Sequence, residues 1–279
     1  MKIKYACPYW GSDRFTPQIF IDTIINAGYN GAEVFLQPND TFCTDFMQAL
    51  QQTIAAHPDF IFIALQLTFP QNEPVDAYIT KMENNFLQLA ALEPDFINSH
   101  TGKDYYSFDD NCRVIEAAMN IGVKTGVRIL HETHRGRFSF HAASLLPYLK
   151  KFPEMELVAD FSHFCTVSES MLEDQEEILE QIIPHVAHVH ARVGFEQGPQ
   201  VNDPAAPEWK SHTDRFISWW KKIAAYKKAA GAELLTFSPE FGPVPYMPVQ
   251  PFTQQPLSNQ WDNNLFMLQT LKKEMEMLG

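Results

Sequence analysis

Short apolar runs alternate with longer amphipathic stretches along the whole chain. The runs are IKYACP, GAEVFL, FIFIALQL, DFINSH, VRILHE, MELVAD, VAHVHAR and ELLTFSPE. Each is short and apolar enough to be a strand. Between them, apolar positions recur at helical spacing. In TPQIFIDTIINAG, Ile19, Ile21, Ile24 and Ile25 are expected to share one face, with Gly28 closing the helix. Comparable patterns occupy EPVDAYITKMENNFLQLAALEP, DDNCRVIEAAMNIG, EDQEEILEQIIP and TDRFISWWKKIAAYKKAAG. A last helix is expected over PLSNQWDNNLFMLQTLKKEMEML.

Eight strands alternating with about eight helices imply an α/β chain with a parallel sheet. In 279 residues this favours a closed (β/α)8 TIM barrel, one domain over residues 1–279, rather than an open doubly wound sheet. No GxGxxG follows the first run, so the usual dinucleotide-binding signature is missing.

In such a barrel the active site lies at the C-terminal ends of the strands. The runs are apolar inside and titratable at their ends. His100 ends the fourth, Glu132 the fifth and Asp160 the sixth; His188 and His190 lie in the seventh, and Glu240 ends the eighth. Alternation puts Glu132 and His134 on one face with Leu130, and His188 with His190. His131 then points into the layer between strand and helix. Three carboxylates converging in a low-dielectric barrel mouth would repel one another, and a divalent cation removes that conflict. With an imidazole they make a mixed O/N set suited to Mn²⁺, Mg²⁺, Co²⁺ or Zn²⁺. Glu132, Asp160, His190 and Glu240 are therefore the expected ligands of one divalent ion. Taken singly, each has a plainer reading as a helix cap, a salt-bridge partner or a satisfied core histidine. Recurrence at four successive strand ends favours the metal.

Charge narrows the partners. The formal net charge is −13 and the pI about 5.1, which weighs against nucleic acid. No run approaches the length of a membrane span, and the N-terminus lacks a signal-peptide core. Cys7, Cys43, Cys112 and Cys165 show no CxxC spacing and read as reduced buried thiols in a cytoplasmic protein.

HETHRG, DFSH and HVHAR follow one another at one-strand intervals, with GYNGAEVF at the second strand and SPEFG at the eighth. In these elements the chain resembles the xylose isomerase-like TIM-barrel superfamily, and within it the sugar (phosphate) isomerase/epimerase branch. That branch includes tagatose and psicose 3-epimerases, hydroxypyruvate isomerases and inosose dehydratases. The resemblance implies metal binding by Glu132, by Asp160 in a D-x-x-H element, by His190 and by Glu240, and substrate contact by His163. It also implies a metal-dependent isomerase or epimerase of cytoplasmic carbohydrate metabolism, with Mn²⁺ the foremost ion. Glu132 and Glu240 would exchange a proton beside a carbonyl through a cis-enediolate; inosose-type dehydration is the alternative on the same site. Two positions depart from the epimerases. Arg192 stands only two residues past His190, where they carry an arginine several residues on, and Phe138 occupies the position of a second glutamate.

Candidate substrate-lining residues are His100, His134, Arg192, Glu33 and Trp10, the last with Tyr9 forming a candidate apolar wall for a sugar face after the first strand, an exposed aromatic turn being the alternative. His188 is expected to support His190 from the layer below. The long GFEQGPQVNDPAAPEWKSHTD segment and the proline-rich SPEFGPVPYMPVQPFTQQP segment are expected to wall the site. The expected partner is a small sugar or polyol, with self-association into a homo-oligomer and with neither nucleic acid nor membrane. Two readings of other classes stand beside this one. A non-enzymatic sugar-binding protein would have no need of both Glu132 and Glu240. A trinuclear-zinc abasic-site endonuclease would want a histidine where the third run has Gln66.

Overall fold

A computed structural model describes residues 1–38 and 40–276. The eight strands are β1 (Lys2–Pro8), β2 (Gly31–Phe35), β3 (Ile61–Gln66), β4 (Phe96–Ser99), β5 (Ile129–Glu132), β6 (Glu156–Ala159), β7 (Val186–Ala191) and β8 (Leu234–Pro239). They form a closed barrel in that order. Each strand falls inside, or within a residue of, an apolar run of the sequence. By their internal contacts the residues fall into two compact halves.

One half comprises Ala6–Glu132 with Gly136–Ser139. It carries helices α1 (Pro17–Asn26), α2 (Thr41–Ala56), α3 (Val75–Ala90) and α4 (Phe108–Thr125). Thr16, Asp40 and Ser107 cap α1, α2 and α4 by accepting a backbone N–H from the first turn. Strands β2 to β5 pair in parallel, with Ile63 opposite Phe96 and Ile97 opposite Ile129. Helix α1 buries Phe20, Ile21 and Ile24, while Ile19 is 50% exposed. The buried stripe is thus centred on Phe20, one residue from the position expected for Ile19, because Phe20 offers the larger apolar area.

The other half comprises Met1–Tyr5, Thr133–Arg135 and the chain from Phe140 onward. It holds α5 (Ala142–Lys151), α6 (Phe161–Ser168), α7 (Glu176–Ile182), α8 (Lys210–Ala229) and α9 (Gln260–Glu276). Strands β7 and β8 pair His188 with Thr236 and His190 with Ser238. Helix α8 buries Phe216, Trp219, Trp220 and Ile223 on one face. Helices α2, α5 and α6 add to those the sequence pattern marked. Helix α5 contains Pro147, which blurs a helical signature. Helix α6 has only 8 residues and begins immediately after Asp160. The last two residues of the expected final helix, 277–278, lie outside the described residues.

Among the described residues no helix is long and apolar enough to cross a membrane. All four cysteines are buried, and none is in a disulfide.

Candidate metal centre

Glu132 ends β5 and is 2% exposed. Its Oε2 accepts from Asn98 Nδ2 at 3.0 Å and lies 3.0 Å from His100 Nε2. Asn98 also donates to Glu33 Oε1 at 2.9 Å, so one amide on β4 fixes two buried carboxylates. Ser139 Oγ donates to the Glu132 carbonyl. His131, next in the alternation, turns to the opposite side. Its Nδ1 meets Thr101 Oγ1 at 2.7 Å and its ring packs edge-on against Phe138. Burial lowers its pKa to about 4, so it is a neutral structural imidazole. Phe138 is buried with it, which explains why no carboxylate stands at that position.

Thr133 links the Glu132 strand end to Asp160. Its N–H donates to Val158 O at 3.0 Å, its hydroxyl donates to Asp160 O at 2.9 Å, and the Asp160 N–H donates to Thr133 Oγ1 at 2.8 Å. Asp160 is the N-cap of α6, where Oδ1 accepts from Ser162 N at 3.0 Å and from the Ser162 hydroxyl. Its other oxygen, Oδ2, meets Arg192 Nη2 and lies 3.6 Å from His163 Nε2. One oxygen of the carboxylate thus serves the helix cap and the other faces Arg192 and His163. Gly194 allows the following loop to lie against this cap: a Cβ there would come within 2.7 Å of Ser162 Cβ.

His190 Nδ1 lies 2.9 Å from Glu240 Oε2. One ligand atom from each of Glu132, Asp160, His190 and Glu240 lies within 4.8 Å of all the others. This donor set of three carboxylates and an imidazole fits a hard or borderline divalent cation. Two further groupings share its members, His100–Glu132–His134 and Glu33–His188–His190. The second is weaker as a site because His188 already engages Thr236 Oγ1 through Nδ1 at 2.6 Å and Ser238 Oγ through Nε2 at 3.0 Å. Its ring stands edge-on to His190, 5.3 Å between centroids.

Other expected site residues are distributed as follows. His163 is fully buried, with Nε2 accepting from Arg192 Nη2 at 3.0 Å and its ring 3.8 Å from that of His134. His134 is half-buried and its Nδ1 lies 2.6 Å from the Arg135 carbonyl. Arg192 is 2% exposed and its guanidinium is held by Asp160, His163 and Ser162, with Nη1 3.6 Å from Glu240 Oε2. Trp10 is exposed in the turn after β1. Tyr9, by contrast, turns toward the helices, packing on Phe20 and Phe42 and donating to the Phe15 carbonyl at 2.9 Å. It is a packing residue, and the expected Tyr9 part of the wall is withdrawn. Gln66, at the end of β3, is fully buried and accepts from Ser99 Oγ at 3.0 Å.

Sequence reasoning missed Asn98, Ser162, Gln200, Tyr246 and Asn264, which position these groups. None carries a charge, and an amide or hydroxyl within an element gives no pattern of its own.

No family model and no curated protein matches the sequence. Solved structures do match in fold. The probable 3-DHS dehydratase AsbF of Bacillus anthracis, involved in petrobactin synthesis, is 12% identical with a TM-score of 0.61, covering 96% of this chain and 98% of that one. The 3-keto-D-glucoside 4-epimerase YcjR of E. coli is 10% identical with a TM-score of 0.60, covering 98% of this chain and 100% of that one. The IolI protein, solved with a zinc atom bound, is 13% identical with a TM-score of 0.55, covering 98% and 96%. Others are described as xylose isomerase domain proteins. The fold is therefore the (β/α)8 barrel that these structures share.

Proposed function

We propose that this protein is a divalent-metal-dependent sugar isomerase or epimerase. The observation that carries the reading is the convergence of Glu132, Asp160, His190 and Glu240 at the ends of four successive strands. An ion held by these residues would supply Lewis acidity at the carbonyl oxygen of a ketose or related polyol. Mn²⁺ suits the set best, with Mg²⁺, Co²⁺ and Zn²⁺ also compatible; the zinc atom in IolI supports a metal in this fold.

The chain's own residues do the rest. Glu132 and Glu240 stand as a pair of carboxylates, one to take the proton from the carbon beside the carbonyl and one to return it. Return to the opposite face of the same carbon is epimerisation, and return to the neighbouring carbon is isomerisation. Asn98 and His100 hold Glu132 in place. His163, His134, Arg192, Glu33 and Trp10 are the proposed contacts to the substrate hydroxyls and ring face. Loss of a β-hydroxyl on the same residues would make the protein a dehydratase, and both an epimerase and a dehydratase share this barrel. The acidic charge supports a small polyol rather than nucleic acid as partner. Four buried thiols fit a reducing, cytoplasmic setting.

The test is a panel of ketoses, inososes and hydroxypyruvate incubated with the Mn²⁺-loaded protein in deuterated water. Deuterium should enter the carbon beside the carbonyl in at least one sugar. A Glu132→Gln protein that binds metal and keeps full turnover would contradict the assignment.

A further inference from the structure

Beside the ligands stands a cluster of two arginines and a tyrosine that proton transfer alone does not require. Arg135 and Arg192 both lie over the ring of Tyr246, with guanidinium carbons 5.2 Å and 4.8 Å from its centroid. Tyr246 comes from the loop after β8 that begins with Glu240. Its phenol lies in the field of all the nearby charges: burial raises its pKa, Arg192 and Arg135 pull it down, and Asp160 and Glu240 push it up. The three side chains therefore flank the Asp160 and Glu240 end of the metal centre.

The two arginines differ. Arg192 is buried and its fork is occupied by Asp160, His163 and Ser162. Arg135 is half-buried, and among the described residues no acidic side chain pairs with it. Gly136 follows it at φ +75°, a left-handed turn that a side chain would strain. Across that turn Arg135 goes to Tyr246 while Arg137 goes to the Phe69 ring, 4.4 Å away. Stacking on an aromatic face fixes a guanidinium plane and leaves its edge of N–H donors open. A guanidinium so presented matches the planar, paired acceptors of a carboxylate or the oxygens of a phosphate. Arg192 is already matched by Asp160 and Glu240, so Arg135 is the guanidinium of this cluster that suits a negative ligand group.

We propose that the substrate carries an anionic group, bound by Arg135 as it is presented on Tyr246 beside Arg192. This rests on the reading of the metal centre as a sugar site and narrows it to acidic sugars. Carboxylate and phosphate share the recognising chemistry, and the experiment separates them.

The test uses the full chain loaded with Mn²⁺ and matched series of ketohexoses. Each series contains the neutral sugar, the form with a carboxylate at its far end, and the form with a phosphate there. Far-end placement keeps the anion away from the carbonyl and the metal. Calorimetry should show one charged form binding at least about tenfold more tightly than its neutral parent, the scale of one hydrogen bond to a charged group. Tighter carboxylate or tighter phosphate identifies the anion, and either upholds the proposal. Arg135→Gln should abolish the preference while leaving affinity for Mn²⁺ and for the neutral sugar within about twofold, because Arg135 holds none of the candidate metal ligands. Tyr246→Phe should keep the preference, and Tyr246→Leu, which removes the ring, should weaken it. No tighter binding of a charged form in any series overturns the proposal. So does a preference that survives Arg135→Gln. Deuterium exchange into neutral sugars under either outcome would leave the metal-assisted reading standing. Failure of Mn²⁺ to bind would instead remove that reading, and the same titrations without metal would still read the anion preference.

Discussion

Asn264 clasps Phe241 by both backbone groups: its Oδ1 accepts from Phe241 N at 2.7 Å and its Nδ2 donates to Phe241 O at 3.1 Å. Gln200 does the same to Gly242, accepting from its N–H at 2.6 Å and donating to its carbonyl at 3.2 Å. The two residues that follow Glu240 are thus fixed by amides from α9 and from the loop after β7. Both amides are buried.

This arrangement positions Glu240 without touching the metal or the substrate. Asn264→Ala should lower Mn²⁺ affinity by about tenfold or more, as loss of an outer hydrogen bond does at other metal sites. Metal titration checks this. A melting temperature that falls with unchanged Mn²⁺ affinity would make Asn264 a packing residue only.

Asn98 has the corresponding task at Glu33 and Glu132. Asn98→Ala leaves two buried carboxylates without that donor, and each buried acceptor so deprived costs about 1–3 kcal/mol. Denaturant unfolding of the metal-free protein should show a loss of that order. Excess Mn²⁺ should recover a good part of it by drawing Glu132 to the ion.

Removing metal should lower stability. With free Mn²⁺ at 100 times its dissociation constant, the holoprotein gains about 2.7 kcal/mol over the chelator-treated protein. Thermal melting with and without chelator measures this. Equal melting temperatures at saturating Mn²⁺ would argue against a site specific to the folded state.

His131 sets an acid limit in the metal-free protein. Its folded pKa of about 4 lies below the ordinary 6.5. The unfolded chain therefore binds the extra proton first as pH falls. Stability is full above pH 6.5 and is lost toward pH 4, by about 2 kcal/mol between pH 7 and pH 5. His131→Gln should flatten this part of the stability profile relative to the parent, whatever it does to stability at pH 7.

The strands and the four residues that cluster at their ends were legible because each follows from a strong local rule. Period-2 burial and apolar runs mark strands, and a titratable residue at the end of an apolar run stands out. Asp160 shows the limit of that reading, since it is at once the helix cap of the plain interpretation and a member of the candidate cluster. The supporting amides were not legible. Asn98 lies inside a strand and Asn264 inside a helix, 23 residues from the backbone it holds, so only tertiary structure gives either a role. Tyr9 misled because it adjoins the barrel mouth in sequence, yet its ring turns out to the helices, where Phe20 and Phe42 receive it. The Arg135–Tyr246 contact joins loops after β5 and β8 and has no sequence signature.

The central claim is that Glu132, Asp160, His190 and Glu240 hold one divalent ion. Counting Mn²⁺ per chain by equilibrium dialysis and elemental analysis, in the parent and in His190→Ala, tests it most directly. One ion per chain in the parent and none retained at the same free Mn²⁺ in His190→Ala is the expected result. No bound ion, three ions per chain, or an unchanged count in His190→Ala would contradict it.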